Sequence, residues 1–174
     1  MRELPRFRYH SDPVQSRVFV RSSEACPCCD QVSGWAYDGP LYSLSDVDNL
    51  CPWCVFDGSA AARFHLEFVV AYEESASPEA VDELLHRTPG FFAAQEDPWP
   101  THCNDFCSFL HSTNLSEILT LREELRKDLQ TIRATLEISW KQLVEDLDRP
   151  HSPLWAHLFE CVKCGQHRLV ANYE

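Results

Sequence analysis

The stretch LCPWCVFDGSAA, Leu50–Ala61, decides how the rest of the chain is read. Its Cys51-Pro-Trp-Cys54 pair precedes an Ala-rich run that reads as a helix, with Asp57 or Ser59 as N-cap. Such a pair is either a redox dithiol or half of a metal site. A thioredoxin-type dithiol follows a strand inside a βαβ unit, and no such alternation surrounds Cys51. Upstream, ACPCCD places Cys26 and Cys29 at the same two-residue gap, with 21 residues between Cys29 and Cys51. Two C-x2-C pairs at this separation have the spacing of a four-thiolate zinc site. Cys28 adjoins Cys29 and competes with it as a ligand. The two-residue gap favours Cys29 and leaves Cys28 as a small buried hydrophobe or a free thiol. Between the pairs, SGWAYDGPLYSL reads as a short hairpin turning at Asp38-Gly39-Pro40. Knuckle, hairpin, second pair and helix form a treble-clef-like order.

Four further cysteines fall into a second set. THCNDFC holds Cys103 and Cys107 at i and i+4, which share one face if the segment is helical. Near the end, Cys161 and Cys164 form C-x2-C-G between two strand-like flanks, as in a zinc ribbon. Gly165 there supplies a left-handed turn. Cys103, Cys107, Cys161 and Cys164 together make a second closed site, with His102 as the main competing ligand. Two sets of four plus Cys28 account for all nine cysteines. Two zinc ions are the implied cofactors. A closed four-thiolate set has no vacant position for substrate, so its metal contributes to folding rather than to chemistry.

The composition narrows the function classes. The 174 residues carry a formal net charge of −12, which disfavours nucleic acid and anionic membrane surfaces as partners. No run of about 18 apolar residues exists to span a bilayer. The opening MRELPRFRYHSDP lacks the apolar segment of a secretory signal, so a cytoplasmic location with reduced thiols is expected.

The expected fold class is α+β, a single zinc-stabilised domain over 1–174. It comprises a zinc module over 22–70, a helical segment over 77–148 and a C-terminal knuckle hairpin over 154–174. Ser77 caps a helix that starts at Pro78 and stops at Thr88-Pro-Gly90. Phe91, Phe92 and Trp99, in a loop rich in proline and aromatics, are expected to bury themselves. From Ser116 to Asp148, Ile118, Leu121, Leu125, Leu129, Ile132, Leu136, Trp140, Leu143 and Leu147 recur every three or four residues. That spacing predicts one long amphipathic helix, folded back on the body or serving as a self-association seam.

Catalytic signatures are missing. H-E-x-x-H, G-x-S-x-G, the phosphate-binding loop and G-x-G-x-x-G do not occur. His65-Leu66-Glu67 is an H-x-E, but both C-P-x-C stretches, at Cys26 and at Cys51, precede it and have the proline inside the pair, so the order of a zinc deaminase fails.

The ordered pieces LPRFRYHSDP, CPCC, YDGPLYS, LCPWCVFDGSAAARF, RTPGF, WPTHCNDFCSFL and CVKCG resemble the CbrC family, small bacterial proteins labelled by a colicin-tolerance phenotype. Asp30 departs from the glycine common after the first knuckle. Asn104 and Phe106 replace the glycine and proline often found between the paired cysteines. The resemblance implies a bacterial cytosolic protein with no known catalytic activity. The resulting expectation is a zinc-held binding module for stress or toxin tolerance, with an unidentified protein partner. The alternative is a zinc-dependent or thiol-based enzyme that uses the Cys103/Cys107/Cys161/Cys164 site with His102.

Overall fold

Two small antiparallel sheets and six short helices make up the described part of the computed structural model. Residues 3–93, 95 and 97–174 are described. Arg2 of the basic N-terminal stretch lies outside them, as do Ala94 and Glu96 of the aromatic loop. The chain divides into two compact units, one running to Val70 and resuming over Ala76–Phe92, the other formed by Ala71–Ser75 and Ala93–Glu174. Among the described residues no helix is long and apolar enough to cross a membrane.

In the first unit, β1 (Phe19–Arg21) pairs antiparallel with β2 (Trp35–Tyr37). The Arg21 guanidinium lies 3.8 Å from the centre of the Trp35 ring opposite it. The hairpin expected around Asp38-Gly39-Pro40 does not form, because β2 takes its partner from upstream. Tyr37 explains the turn that forms instead. Its hydroxyl donates to the Pro40 carbonyl at 2.7 Å, and its ring fills the space where a side chain on Gly39 would go. Phe7, Phe19, Tyr37 and Phe68 then pack in succession at 5.1–5.7 Å between ring centres, the first pair stacked and the next two edge to face. Phe91 is buried, but Phe92, expected inside, is 45% exposed.

Two short helices follow the second cysteine pair. α1 (Pro52–Phe56) has Cys51 as N-cap and Pro52 in its first turn, where a missing N–H costs nothing. α2 (Ser59–Phe64) starts at Gly58 with φ 78°, and Asp57 accepts from the Ser59 amide at 2.9 Å. α3 (Pro78–Arg87) is capped by Ser77, whose hydroxyl accepts from the Ala80 amide, and Thr88 ends it in extended backbone.

In the second unit, β3 (Thr101–His102), β4 (Asp105–Ser112), β5 (Leu154–Cys161) and β6 (His167–Tyr173) form one antiparallel sheet in chain order. The segment Cys103–Cys107, whose cysteines would share one face in a helix, is not helical. Cys103 and Asn104 form a two-residue turn, both with φ 55°, and Thr101 faces Phe106 across it. Two left-handed residues match the twist of a tight hairpin, and asparagine tolerates that region better than most. β4 buries Phe106, Cys107 and Phe109, and Trp99 is buried with its indole N–H donating to the Cys107 carbonyl at 2.7 Å.

The single long helix expected over Ser116–Asp148 is three helices, α4 (Leu115–Thr120), α5 (Arg126–Thr135) and α6 (Trp140–Asp148). The first break is a turn over residues 121–125. The second is set by Glu137 at φ 55° and by Ser139, whose side chain caps α6 by accepting from the Gln142 amide at 3.1 Å. The apolar positions still point inward. Ile118, Leu125, Leu129, Ile132 and Leu143 pack with Leu154, Ala156, Leu158 and Leu169 of the sheet. A straight helix of this length would overrun a four-stranded sheet. Broken into pieces, it lays α5 on β6 and α6 on β5. The continuous seam expected for self-association is therefore lost.

Candidate metal centres

Both C-x2-C-x-Gln stretches fold into the same knuckle. In the first, the Cys26 amide donates to the Gln31 carbonyl at 2.9 Å and the Asp30 amide to the Cys26 carbonyl at 2.8 Å. In the second, the Cys161 amide donates to the Gln166 carbonyl at 2.8 Å and the Gly165 amide to the Cys161 carbonyl at 3.0 Å. The residue after the second cysteine is left-handed in each, with φ 59° at Asp30 and 74° at Gly165. Asp30 thus occupies a glycine-type position. The knuckle amides aim at sulfur, and the Lys163 N–H lies 3.4 Å from Cys161 Sγ. Burial alone would push the Cys161 thiol up, but the amides of Lys163 and Cys164 outweigh it and bring it down to about 7. Cys26 is shifted down in the same way. Burial opposes the shift, but the amides of Cys51, Cys29 and Cys28 overcome it, with the Cys51 N–H at 3.2 Å.

The first cluster lies in the first unit. The Sγ atoms of Cys26, Cys29, Cys51 and Cys54 all fall within 4.8 Å of one another. Cys26, Cys51 and Cys54 are buried in the core beside Leu50, Val55, Ala60 and Leu66, and Cys29 is half-buried. Cys29 and Cys51 are 3.8 Å apart. A tetrahedral ion with metal–sulfur bonds of about 2.3 Å places its sulfurs about 3.8 Å apart, whereas a disulfide needs about 2.05 Å. All nine cysteines are free thiols. Cys28 stays outside the cluster, with its sulfur 3.5 Å from Ser59 Oγ.

The second cluster lies in the second unit and differs from the expected set. His102, Cys103, Cys161 and Cys164 bring their ligand atoms within 4.8 Å of one another, and Cys107 is not among them. His102 Nδ1 is 3.3 Å from the sulfurs of both Cys103 and Cys164, which are 3.7 Å from each other. Cys107 faces Cys161 across β4 and β5 but is fully buried. Burial, and then the nearby Cys161 charge, push its thiol up to about 12, so it is a neutral core side chain. The reason is the turn at Cys103-Asn104. It moves Cys103 to the hairpin tip and sets His102, at the end of β3, beside the knuckle. The sequence signal for this was the pair His102-Cys103 directly before an Asn, a turn-former rather than a helix-former.

In both clusters several thiols resist ionising together. Burial pushes Cys51 up to about 11. A hydrogen bond with Cys164, ahead of burial, pushes Cys103 up to about 11. A divalent cation removes that obstacle by compensating the converging negative charge. Each cluster is geometrically able to hold a metal ion.

The sequence profile of an uncharacterised protein family, UPF0167, matches residues 4–173. The chain belongs to the UPF0167 family. The UPF0167 protein Mb2317 of Mycobacterium bovis is 33% identical over 180 residues, covering 98% of this chain and 94% of that protein. The UPF0167 protein PA1536 of Pseudomonas aeruginosa is 34% identical over 168 residues, covering 94% of this chain and 93% of that protein. No solved structure matches.

Two other features of this UPF0167 chain bear on function. An open cleft of about 1150 Å³ in the first unit is lined by Tyr42, Leu44, Asp57, Glu67, Asp82 and Arg87, among others. In the second unit, Ser112 Oγ lies 3.3 Å from His157 Nδ1, and His157 Nε2 lies 4.0 Å from Asp97. The order of groups is that of a hydrolase relay, but 4.0 Å exceeds hydrogen-bond reach. Burial also holds the His157 ring at about 4, well below a working base at neutral pH. The alignment is core packing.

Proposed function

We propose that this UPF0167 chain is a zinc protein in which one structural ion holds each unit, and that it works as a binding module rather than an enzyme. The observation that supports this reading is the pair of complete four-ligand sets. Each joins segments distant in sequence, Cys26/Cys29 with Cys51/Cys54 and His102/Cys103 with Cys161/Cys164, at the spacing a tetrahedral ion requires. Zinc is favoured over other metals because the donors are sulfur with one imidazole. A chain with modest cores gains folding free energy from such ions directly. The second set has four protein ligands with His102 counted among them, so the enzyme reading loses both its open position and its nearby base.

The partner in this reading is a protein, bound in the bacterial cytoplasm. The cleft of the first unit is the surface suited to it, since Asp57, Glu67 and Asp82 outnumber Arg87 there and favour a cationic segment beside exposed Leu44. A role in stress or toxin tolerance rests on the CbrC resemblance. The deciding experiment is elemental analysis of the purified chain, followed by chelation. Two zinc ions per chain are expected, and stripping them should unfold both units. Fewer than one ion per chain, or an unchanged fold after complete removal, would refute the proposal.

A further inference from the structure

Resting on the zinc reading of the second cluster, we infer that Cys103 and Cys164 form an oxidation site, at which a hydroperoxide closes a disulfide and expels the metal. The two clusters of this chain differ in one respect that matters for such chemistry. In the first, three of the four sulfurs are buried within the core. In the second, Cys103 and Cys164 are exposed while Cys161 is buried. Thiolate oxidation follows access of the oxidant to sulfur, so the second cluster is the reactive one.

Geometry selects the pair. Cys103 sits in the two-residue turn between β3 and β4, and Cys164 sits in the knuckle between β5 and β6. Their sulfurs are already 3.7 Å apart. Bond formation needs an approach to about 2.05 Å, a movement that two turn tips supply more readily than strand-held Cys161. Lys163, between the knuckle cysteines, donates to the Cys103 carbonyl at 3.0 Å and lies 3.5 Å from the Asp105 carboxylate. It therefore ties the two tips together and holds their sulfurs at this short separation.

The electron count closes with the peroxide as the only co-reactant. The Cys103 thiolate attacks one peroxide oxygen, the O–O bond breaks, and hydroxide leaves a sulfenic acid on Cys103. The Cys164 thiolate then attacks that sulfur, the S–S bond forms, and a second hydroxide departs. Two thiolates have lost two electrons, the peroxide has gained them, and zinc stays divalent throughout. His102 and Cys161 remain, and two ligands do not retain the ion. At the two hairpin tips the metal link is thereby exchanged for a disulfide, while the first cluster keeps its ion.

The test uses the full-length, zinc-loaded chain. Zinc is first quantified without oxidant, then hydrogen peroxide is added in the presence of a chromogenic zinc chelator, and the products are mapped by peptide mass spectrometry. The expected result is release of one zinc per chain, about tenfold faster or more than the other, with a Cys103–Cys164 disulfide and recovery on adding a dithiol and zinc. Cys28→Ser should release zinc as the unaltered chain does. Equal release from both clusters, a Cys161–Cys164 disulfide, or zinc retained under peroxide would overturn the inference while leaving the zinc reading intact. Absence of zinc from the second cluster before oxidant would overturn both.

Discussion

Replacing His102 by alanine and Cys107 by alanine separates the observed second cluster from the one its cysteine spacing predicts. Structural zinc sites with four ligands bind with about 10–16 kcal/mol of apparent free energy, or about 2.5–4 kcal/mol per ligand when shared equally. His102 Nδ1 lies 3.3 Å from two of the cluster's sulfurs, so its removal opens one corner of the tetrahedron. At about 1.4 kcal/mol per decade, H102A should weaken the second zinc by about two to three decades. Cys107 is fully buried among core residues, and its truncation removes one sulfur from packed surroundings. C107A should cost about 1–2 kcal/mol of stability and leave zinc affinity unchanged. Competition against a chelator of known affinity reads both. Loss of one ion in C107A, with less than a tenfold effect in H102A, would show that the fourth ligand is Cys107 and would refute the assignment of His102.

Three further outcomes follow from backbone and burial. Because Asp30 and Gly165 hold the same left-handed position, Asp30→Gly should stabilise the first knuckle by up to about 1 kcal/mol and Gly165→Ala should destabilise the second by about 1–2 kcal/mol; chemical denaturation of the zinc-loaded chain measures both. Glu137→Gly has opposite signs in the two architectures. It should stabilise by about 1 kcal/mol at the observed φ of 55°, whereas it would destabilise by about as much inside a continuous helix. The third concerns His10, which is buried with Nδ1 2.8 Å from the Pro89 carbonyl and Nε2 2.8 Å from Ser16 Oγ. Burial lowers its pKa to about 4, although the hydrogen bond to Pro89 and the charge of Asp12 pull it up. Between about 6.5 and 4 the unfolded chain binds a proton that the folded chain does not. Its contribution, about 3 kcal/mol, is therefore full above pH 6.5 and lost as pH falls toward 4. His10→Asn, which keeps a donor for Pro89, should remove that slope from a pH series of denaturation midpoints, and an unchanged slope would sink the assignment.

Features governed by short-range geometry were readable from the residues alone. Two cysteines three positions apart, followed by a residue that accepts a left-handed backbone, can turn both sulfurs to one point without help from elsewhere. Cys26/Cys29 and Cys161/Cys164 were legible for that reason, as were the capped helix at Ser77 and the hairpin arms around the final knuckle. Which distant groups meet emerged only from the folded chain. Trp35–Tyr37 pairs with the distant Phe19–Arg21 rather than folding back on itself, and Tyr37 then fills the space beside Gly39. The apolar spacing from Ile118 to Leu147 stated which side chains go inside, but not that the sheet beneath is too short for one straight helix. Cys107 lost its place to His102 because a two-residue turn, not a helix, carries Cys103, and strand register then buries Cys107 opposite Cys161. Periodicity and spacing fix the direction of a side chain relative to its own backbone. Only the pairing of segments far apart fixes what stands opposite it.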